Sequence, residues 1–274
     1  MKLVTDFSTS SVRPHQSGNG SVGDPPPEWS PAALFAGGDG GLWLDPGDMA
    51  QFFQDAAGTQ PVTDIDQPVA LVRNSASADR YAAQTQATAR PMLRSTPEGQ
   101  RYLEFDGLGA HLVTTPLGLG NSEALTVVVG FRKTQDATIA RLLDTTESSP
   151  SFSLSAPAAT NLSRNNAVLA NGSNSVVLDG DAPGDRDMVY TLGCVLNDAL
   201  TLFRDGVQIG QGAFPGSESS TWGNNQAFHI AQRTSGIQHF TGRLYGLIAV
   251  GRVLTPVERG QAEAWMAARM GLPL

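Results

Sequence analysis

The chain reads as an all-β protein, an antiparallel sandwich closed by one helix, and three observations predict this. Runs of alternating apolar and polar residues recur beyond residue 100, turn formers separate them, and one capped helical pattern stands near residue 256. Thirty glycines and 17 prolines supply the turns that many short strands need. With 274 residues, 40% of them hydrophobic and 16% charged, there is apolar material for one large core plus an extension.

The strand-like segments are 101–106, 111–115, 124–132, 138–144, 151–155, 175–179, 188–196, 227–232 and 240–250, each bounded by Gly, Pro, Asn, Asp or Ser. Many strands at this spacing imply two packed sheets. Thr201 to Ile209 reads as a hairpin, because Asp205-Gly206 suits a two-residue type I′ turn. That register pairs Arg204 with Val207 and Leu202 with Ile209.

Two helices are expected. Near 46–54, Asp45 is placed as N-cap, Pro46 sits at the first helical position, and Met49, Phe52 and Phe53 form a core-facing stripe. Near 256–270, Thr255-Pro256-Val257-Glu258 is a capping box and Gly271 stands where a helix of about four turns would end. Val257, Ala264, Trp265 and Ala268 are expected to line its buried face, with Trp265 anchoring it to the sheet.

Residues 1–28 differ in kind. They are rich in Ser, Gly, Asn and Pro, end in Asp24-Pro25-Pro26-Pro27, and show no hydrophobic period, so they read as an extended N-terminal arm or linker. The sandwich domain then covers 29–274, with a leading segment at 29–98 and the main strand series at 99–274.

Charge and cysteine narrow the partners. A net charge of −8 repels phosphate backbones and anionic headgroups, so nucleic-acid binding is not expected. No stretch approaches the ~18 apolar residues of a membrane span, so membrane insertion is not expected either. The one cysteine, Cys194, lies in an apolar run and reads as an inert buried thiol. Polar residues follow Met1-Lys2-Leu3-Val4 at once, leaving no apolar signal core, so synthesis and folding in a cytoplasm are expected.

The series Tyr102 to Gly107, Leu125 to Phe131, Arg204-Asp205-Gly206, Phe240 to Ile248 and Leu254-Thr255-Pro256 resembles the laminin-G-like or concanavalin A-like jelly rolls. Upstream, Leu34-Phe35-Ala36, Trp43 to Pro46, Phe53 to Thr59, Pro61 to Thr63, Gln67 to Val69 and Arg90-Pro91 look like the region preceding this jelly roll in tailed-bacteriophage and prophage virion proteins. The resemblance covers roughly 30–274. Such proteins often carry Asp-x-Ser-Gly followed by Asn-His, whereas this chain reads Asn74 to Gln84 without that pattern, so no ligand or metal contact carries over to that loop.

The resemblance implies a structural component of a tailed-phage particle, a head fibre, head decoration or tail-tip protein. It would be made in the host bacterial cytoplasm and displayed on the virion surface. The arm would contact other virion proteins and the jelly roll would face a host surface glycan. An arm that wraps neighbours and exposed sandwich faces suit a homo-oligomer such as a trimer. A carbohydrate-binding receptor module is the alternative reading, ahead of a glycan hydrolase of the same fold.

Hydrolases share this fold and use Glu-x-Asp-x-Glu or Glu-x-Asp-x-x-Glu. Here Glu104-Phe105-Asp106 begins the pattern, but Leu108 and Gly109 stand where the second Glu belongs. Glu104 and Asp106 therefore read as solvent-face and turn residues, and no catalytic residue is assigned. His15, His111, His229 and His239 lack metal-ligand spacing, and no metal or cofactor is assigned. Calcium held by backbone carbonyls and scattered Asp or Asn stays open, because loop geometry decides it. The one candidate ligand site is Ser217 to Asn225, where Trp222 offers a flat face for a sugar ring and Asn224 and Asn225 offer amides for its hydroxyls; Trp222 tucked into the sandwich edge is the alternative.

Overall fold

The computed structural model describes residues 29–77, 79–135, 140–145, 150–157, 165–179, 186–214 and 220–273, so the arm at 1–28 lies outside the described residues. The leading segment contributes β1 (Gly41–Leu44), β2 (Phe52–Phe53), β3 (Leu71–Arg73), β4 (Tyr81–Ala83) and β5 (Met92–Ser95). Next come β6 (Arg101–Asp106), β7 (Leu112–Thr114), β8 (Ala124–Lys133), β9 (Ala140–Thr145), β10 (Ser151–Ala156), β11 (Asn165–Asn171) and β12 (Asn174–Asp179). The chain closes with β13 (Asp187–Val195), β14 (Ala199–Arg204), β15 (Val207–Ala213), β16 (Phe228–Ile230), β17 (Thr241–Val250) and α1 (Pro256–Arg269).

These strands form two antiparallel sheets, as expected of a β-sandwich. One runs β15-β14-β13-β8-β17-β6-β5 with β1 added beside β17, and the other runs β12-β11-β10-β9-β16-β7-β4-β3-β2. The leading segment is therefore woven into both sheets. Alternate side chains of each sheet, among them Val127, Val129, Phe131, Tyr190 and Leu192 facing Leu112, Phe152, Leu154, Leu169 and Phe228, form one continuous core.

A second, smaller core lies on the other side of the eight-stranded sheet, where α1 packs on Val128, Val189, Tyr245, Ile248 and Val250. Glycines permit that approach. A Cβ at Gly130 would stand 2.7 Å from Met266 Cγ and Sδ and from Met270 Sδ, and one at Gly246 would stand 2.9 Å from Met266 Sδ. The face of α1 differs from expectation: Ala262, Glu263, Met266 and Ala267 are buried, Ala264 and Ala268 are exposed, and Val257 is 71% exposed. Trp265 is half-buried at the margin, edge-on to Trp43 with centroids 5.8 Å apart. Glu263 can turn inward because Thr191 donates to it at 2.7 Å and Arg259 pairs with it at 3.1 Å.

The expected helix near 46–54 is corrected to a single 3-10 turn, Met49–Gln51, capped by Asp48 at Ala50 N–H (3.2 Å). Phe52 and Phe53 leave it as β2, paired with Val72 and Leu71, because both rings are buried against the sheet. Asp45 is not an N-cap. It accepts from Gly47 N–H at 2.8 Å and pairs with Arg269 of α1 at 2.7 Å.

The Asp205-Gly206 hairpin is a type I′ turn, with φ of 50° and 79°. Arg204 faces Val207 as expected, but the register shifts and Leu202 faces Gly210, not Ile209. Gly210 then lies in contact with Leu178 of β12, and a Cβ at Gly212 would stand 2.4 Å from Val176 Cγ2, so the edges of the two sheets meet where a side chain at Gly212 would collide.

The capping box forms as the sequence implies. Glu258 N–H donates to Thr255 Oγ1 at 3.2 Å, and Thr255 N–H donates to Glu258 Oε2 at 2.9 Å. Arg252 grips the same carboxylate at 2.8 and 2.9 Å, and with the Thr255 bonds it holds the Glu258 carboxyl down to about 2 from its ordinary 4.5. A depressed carboxylate pKa stabilises the fold above the unfolded-state value and loses that contribution as pH falls. Glu258→Gln should therefore cost about 1 kcal/mol at neutral pH, and the difference from wild type should shrink as pH drops from 4.5 through about 2. Denaturant melts of both proteins across that range check it; a difference independent of pH would mean the carboxylate charge is not what holds the cap.

Candidate functional site

Among the described residues, one sheet face has no covering helix. On the outer side of the nine-stranded sheet, the register aligns Val113, His229, Asp144, Ser153, Val168 and Val177 in one cross-strand row over β7, β16, β9, β10, β11 and β12. Their neighbours along each strand, such as Leu112, Phe228, Phe152, Leu154 and Leu169, point inward to the core.

An irregularity in β9 concentrates polar groups on this face. Residues three apart in a regular strand face opposite ways. Here Asp144 pairs with Ser153, Leu143 with Leu154 and Arg141 with Ser155, so Leu142 is an extra residue and the strand bulges. Leu142 and Leu143 both enter the core, and Arg141 and Asp144 both emerge outward.

The loop between β16 and β17 fixes the two. Ala231 and Gln238 hold φ of 69° and 57°, turning the chain out and back. Ala231 N–H donates to Leu142 O at 2.9 Å, and Arg141 N–H donates to Gln238 O at 2.9 Å. Thr234 donates to Asp144 Oδ2 through its N–H at 3.0 Å and its hydroxyl at 2.8 Å. Arg141 donates from Nε to Gln238 Oε1 at 3.0 Å and from Nη1 to Ser153 and Ser155 Oγ at 2.9 and 2.7 Å.

The result is a cavity of about 580 Å³ lined by Arg141, Asp144, Thr145, Ser151, Phe152, Ser153, Val168, Val177 and Arg233. Arg141 and Asp144 are each only 9% exposed, so their positions are fixed before any ligand arrives. Among the described residues, Arg141 Nη2, Asp144 Oδ1 and the whole Arg233 guanidinium make no hydrogen bond. Burial pushes the Arg141 pKa down, Asp144 opposes the shift, and the like charge of Arg233 adds to it. Burial also pushes the neighbouring His229 down, against the pull of Asp144 and with the help of His111, so its imidazole is neutral near pH 7.

A guanidinium donor, a carboxylate acceptor and two valine side chains on one rigid face form the combination that takes hydroxyls on one side and C–H surface on the other. No signal in the linear sequence pairs Arg141 with Asp144. The spacing Ser151-x-Ser153-x-Ser155 against Phe152 and Leu154 does mark a strand with hydroxyls on one face.

Trp222 is corrected. Trp222 is 1% exposed, its ring edge-on to Phe152 with centroids 6.0 Å apart, and its backbone N–H donates to Ser122 O at 2.9 Å. Burying so large a ring outweighs any advantage of leaving it in a loop, so it presents no face to a sugar. Asn224 and Asn225 are exposed, and Asn224 lines a separate cavity of about 580 Å³ at the sandwich rim with Asp39, Gly120, Asn121, Glu123 and Arg252. The structure thus separates Trp222 from the two amides, and Ser217 to Ser219 lie outside the described residues.

Glu104 bonds Arg94 at 2.9 Å, and Asp106 accepts the N–H groups of Leu108, Gly109 and Ala110, so both serve pairing and turn roles as expected. Cys194 is fully buried, and burial pushes its thiol pKa up. Among the described residues, no three His, Cys, Asp or Glu side chains gather as a metal-holding group, and no helix is long and apolar enough to cross a membrane. Asn74, in the loop that departs from the phage-protein pattern, is buried and pins β1 by accepting from Trp43 N–H at 2.8 Å.

No protein-family model and no curated protein matches the chain. Among solved structures it is similar to a Trypanosoma rangeli sialidase, with a TM-score of 0.54 and 13% identity over 87% of this chain and 34% of that one. It is also similar to the binding domain of Paraclostridial Mosquitocidal Protein 1, with a TM-score of 0.53 and 9% identity over 74% of this chain and 53% of that one. Domain 4 of AbnA, an extracellular arabinanase from Geobacillus stearothermophilus, matches with a TM-score of 0.48 and 15% identity over 82% of this chain and 100% of that one. The chain spans about a third of the sialidase and about half of the toxin binding domain, and the first two likenesses establish a shared β-sandwich fold.

Trp222→Ala should destabilise the domain by about 3–5 kcal/mol, as loss of a large core ring does. Trp222→Phe should cost much less, because the indole Nε1 has no hydrogen-bond partner to lose. Denaturant melts check both; a Trp222→Ala midpoint equal to wild type would return the ring to the surface.

Proposed function

We propose that this domain is a non-enzymatic glycan-binding module whose binding face is the outer side of the nine-stranded sheet. The observation that carries the proposal is the pre-set pair of free groups, Arg141 Nη2 and Asp144 Oδ1, beside Val168 and Val177 in one open cavity. A sugar offers matching chemistry, with hydroxyls that both donate and accept and ring C–H groups that pack on aliphatic carbon. Asp144 is the one described carboxylate lining the cavity, whereas canonical glycosidases use two, so binding without turnover is the assignment.

The sequence resemblance to tailed-phage and prophage virion proteins supports a place for this module on the surface of a phage particle, as part of a head fibre, head decoration or tail tip. There it would hold a host surface glycan. Residues 1–28 would attach the domain to other virion proteins, and several copies, three in the simplest arrangement, would raise a weak single-site affinity by multivalency.

The test is an array of bacterial surface polysaccharides probed with the full chain, followed by titration of the best ligand. Asp144→Asn keeps an oxygen for Thr234 and turns the cavity acceptor into a donor, so affinity should fall about tenfold or more with the melting midpoint preserved. Binding unaffected by Asp144→Asn would place the site elsewhere, and an empty array would remove the proposal.

A further inference from the structure

Resting on the glycan-binding proposal, we infer that the cavity selects an acidic sugar of the uronic-acid class, whose carboxylate is held between Arg141 Nη2 and Arg233. Three observations carry this. First, two arginines line one cavity of a chain whose net charge is −8. Their like charges disfavour each other, and a bound anion relieves that cost.

Second, the arginines elsewhere on the surface are largely committed within the fold: Arg186 to Asp205, Arg252 to Asp39 and Glu258, Arg269 to Asp45. Arg233 has no hydrogen bond, ion pair or ring contact from its side chain among the described residues, and the Arg141 guanidinium, although buried, keeps Nη2 uncommitted.

Third, the charges balance for one particular anion. Two guanidinium groups and the Asp144 carboxylate leave the cavity with one positive charge, while His229 beside it is neutral near pH 7. A monoanion closes that balance, whereas a phosphate dianion would leave an excess negative charge facing Asp144. A planar carboxylate fits the guanidinium fork, and when it is carried on a sugar ring the hydroxyls remain free for Asp144 Oδ1 and the ring C–H groups for Val168 and Val177.

The experiment titrates the full chain with a panel of hexuronic-acid oligosaccharides and the same oligosaccharides after carboxyl reduction to the neutral hexoses, with oligoglutamate as a charged non-sugar. The acidic member of a matched pair should bind about tenfold more tightly or better, with the preference shrinking as salt rises. In Arg233→Gln the acidic-to-neutral ratio should fall towards one, and Arg233→Lys should restore part of it; both changes sit on an exposed loop side chain, and a melt verifies that each variant is folded. Equal binding of acidic and neutral partners overturns the inference and leaves the glycan-binding proposal standing. An acidic preference that survives Arg233→Gln also overturns it, as does oligoglutamate binding as well as the uronates. Binding of no sugar on the panel overturns the inference, and the glycan-binding proposal falls with it only if the polysaccharide array is empty as well.

Discussion

The fold depends on a constraint of faces: two sheets have four, and each apolar one must be covered. The inner pair seal against each other in one core of aliphatic and aromatic side chains. The outer face of the eight-stranded sheet, with Val128, Val189, Tyr245, Ile248 and Val250, is covered by α1. Full burial of each such side chain is worth roughly 1.5–3 kcal/mol, whereas an exposed ion pair is worth about 0–1. Core packing therefore decides which way every strand faces, and polar groups take the positions that remain. The outer face of the nine-stranded sheet is where they accumulate.

Within that face, the extra residue in β9 determines the chemistry. If the pairing of β9 with β10 were regular, the inward placement of Leu143 would still send Asp144 outward but would turn Arg141 into the core. The bulge accommodates Leu142 and Leu143 in the core together and brings the guanidinium and the carboxylate to one side. The 231–239 loop then locks both by hydrogen bonds to Gln238 and Thr234, so the site is rigid although half of its supports come from a loop. Arg233, on the same loop, is brought to the cavity by the contact that orders Asp144.

The features legible in the sequence are the local ones. The capping box at Thr255, the Asp205-Gly206 turn and most of the long strands from residue 101 onward follow from chemistry within a few residues, whereas β11, whose Asn165 to Asn171 do not alternate, does not. The short strands β2 to β5 were not legible, because two to four residues carry no measurable period and exist only through their sheet partners. The phase of α1 was misjudged because alanines suit either face, and Met266 and Met270, not Val257, fill the space above Gly130. Trp222 misled for a related reason: its polar neighbours in sequence suggested exposure, but tertiary packing claimed the ring. The site itself was illegible because Arg141-Leu142-Leu143-Asp144 gives no sign of a bulge until β10 is laid beside it.

The central claim is that ligand engages the outer face of the nine-stranded sheet, at the bulge in β9. Backbone amide shifts followed by NMR during titration with a bound oligosaccharide test it most directly. The account predicts that the largest changes fall on residues 141–145, 151–155 and 231–238, with α1 unchanged. Changes centred instead on the rim around Asn224 and Asn225, or on α1, would contradict it.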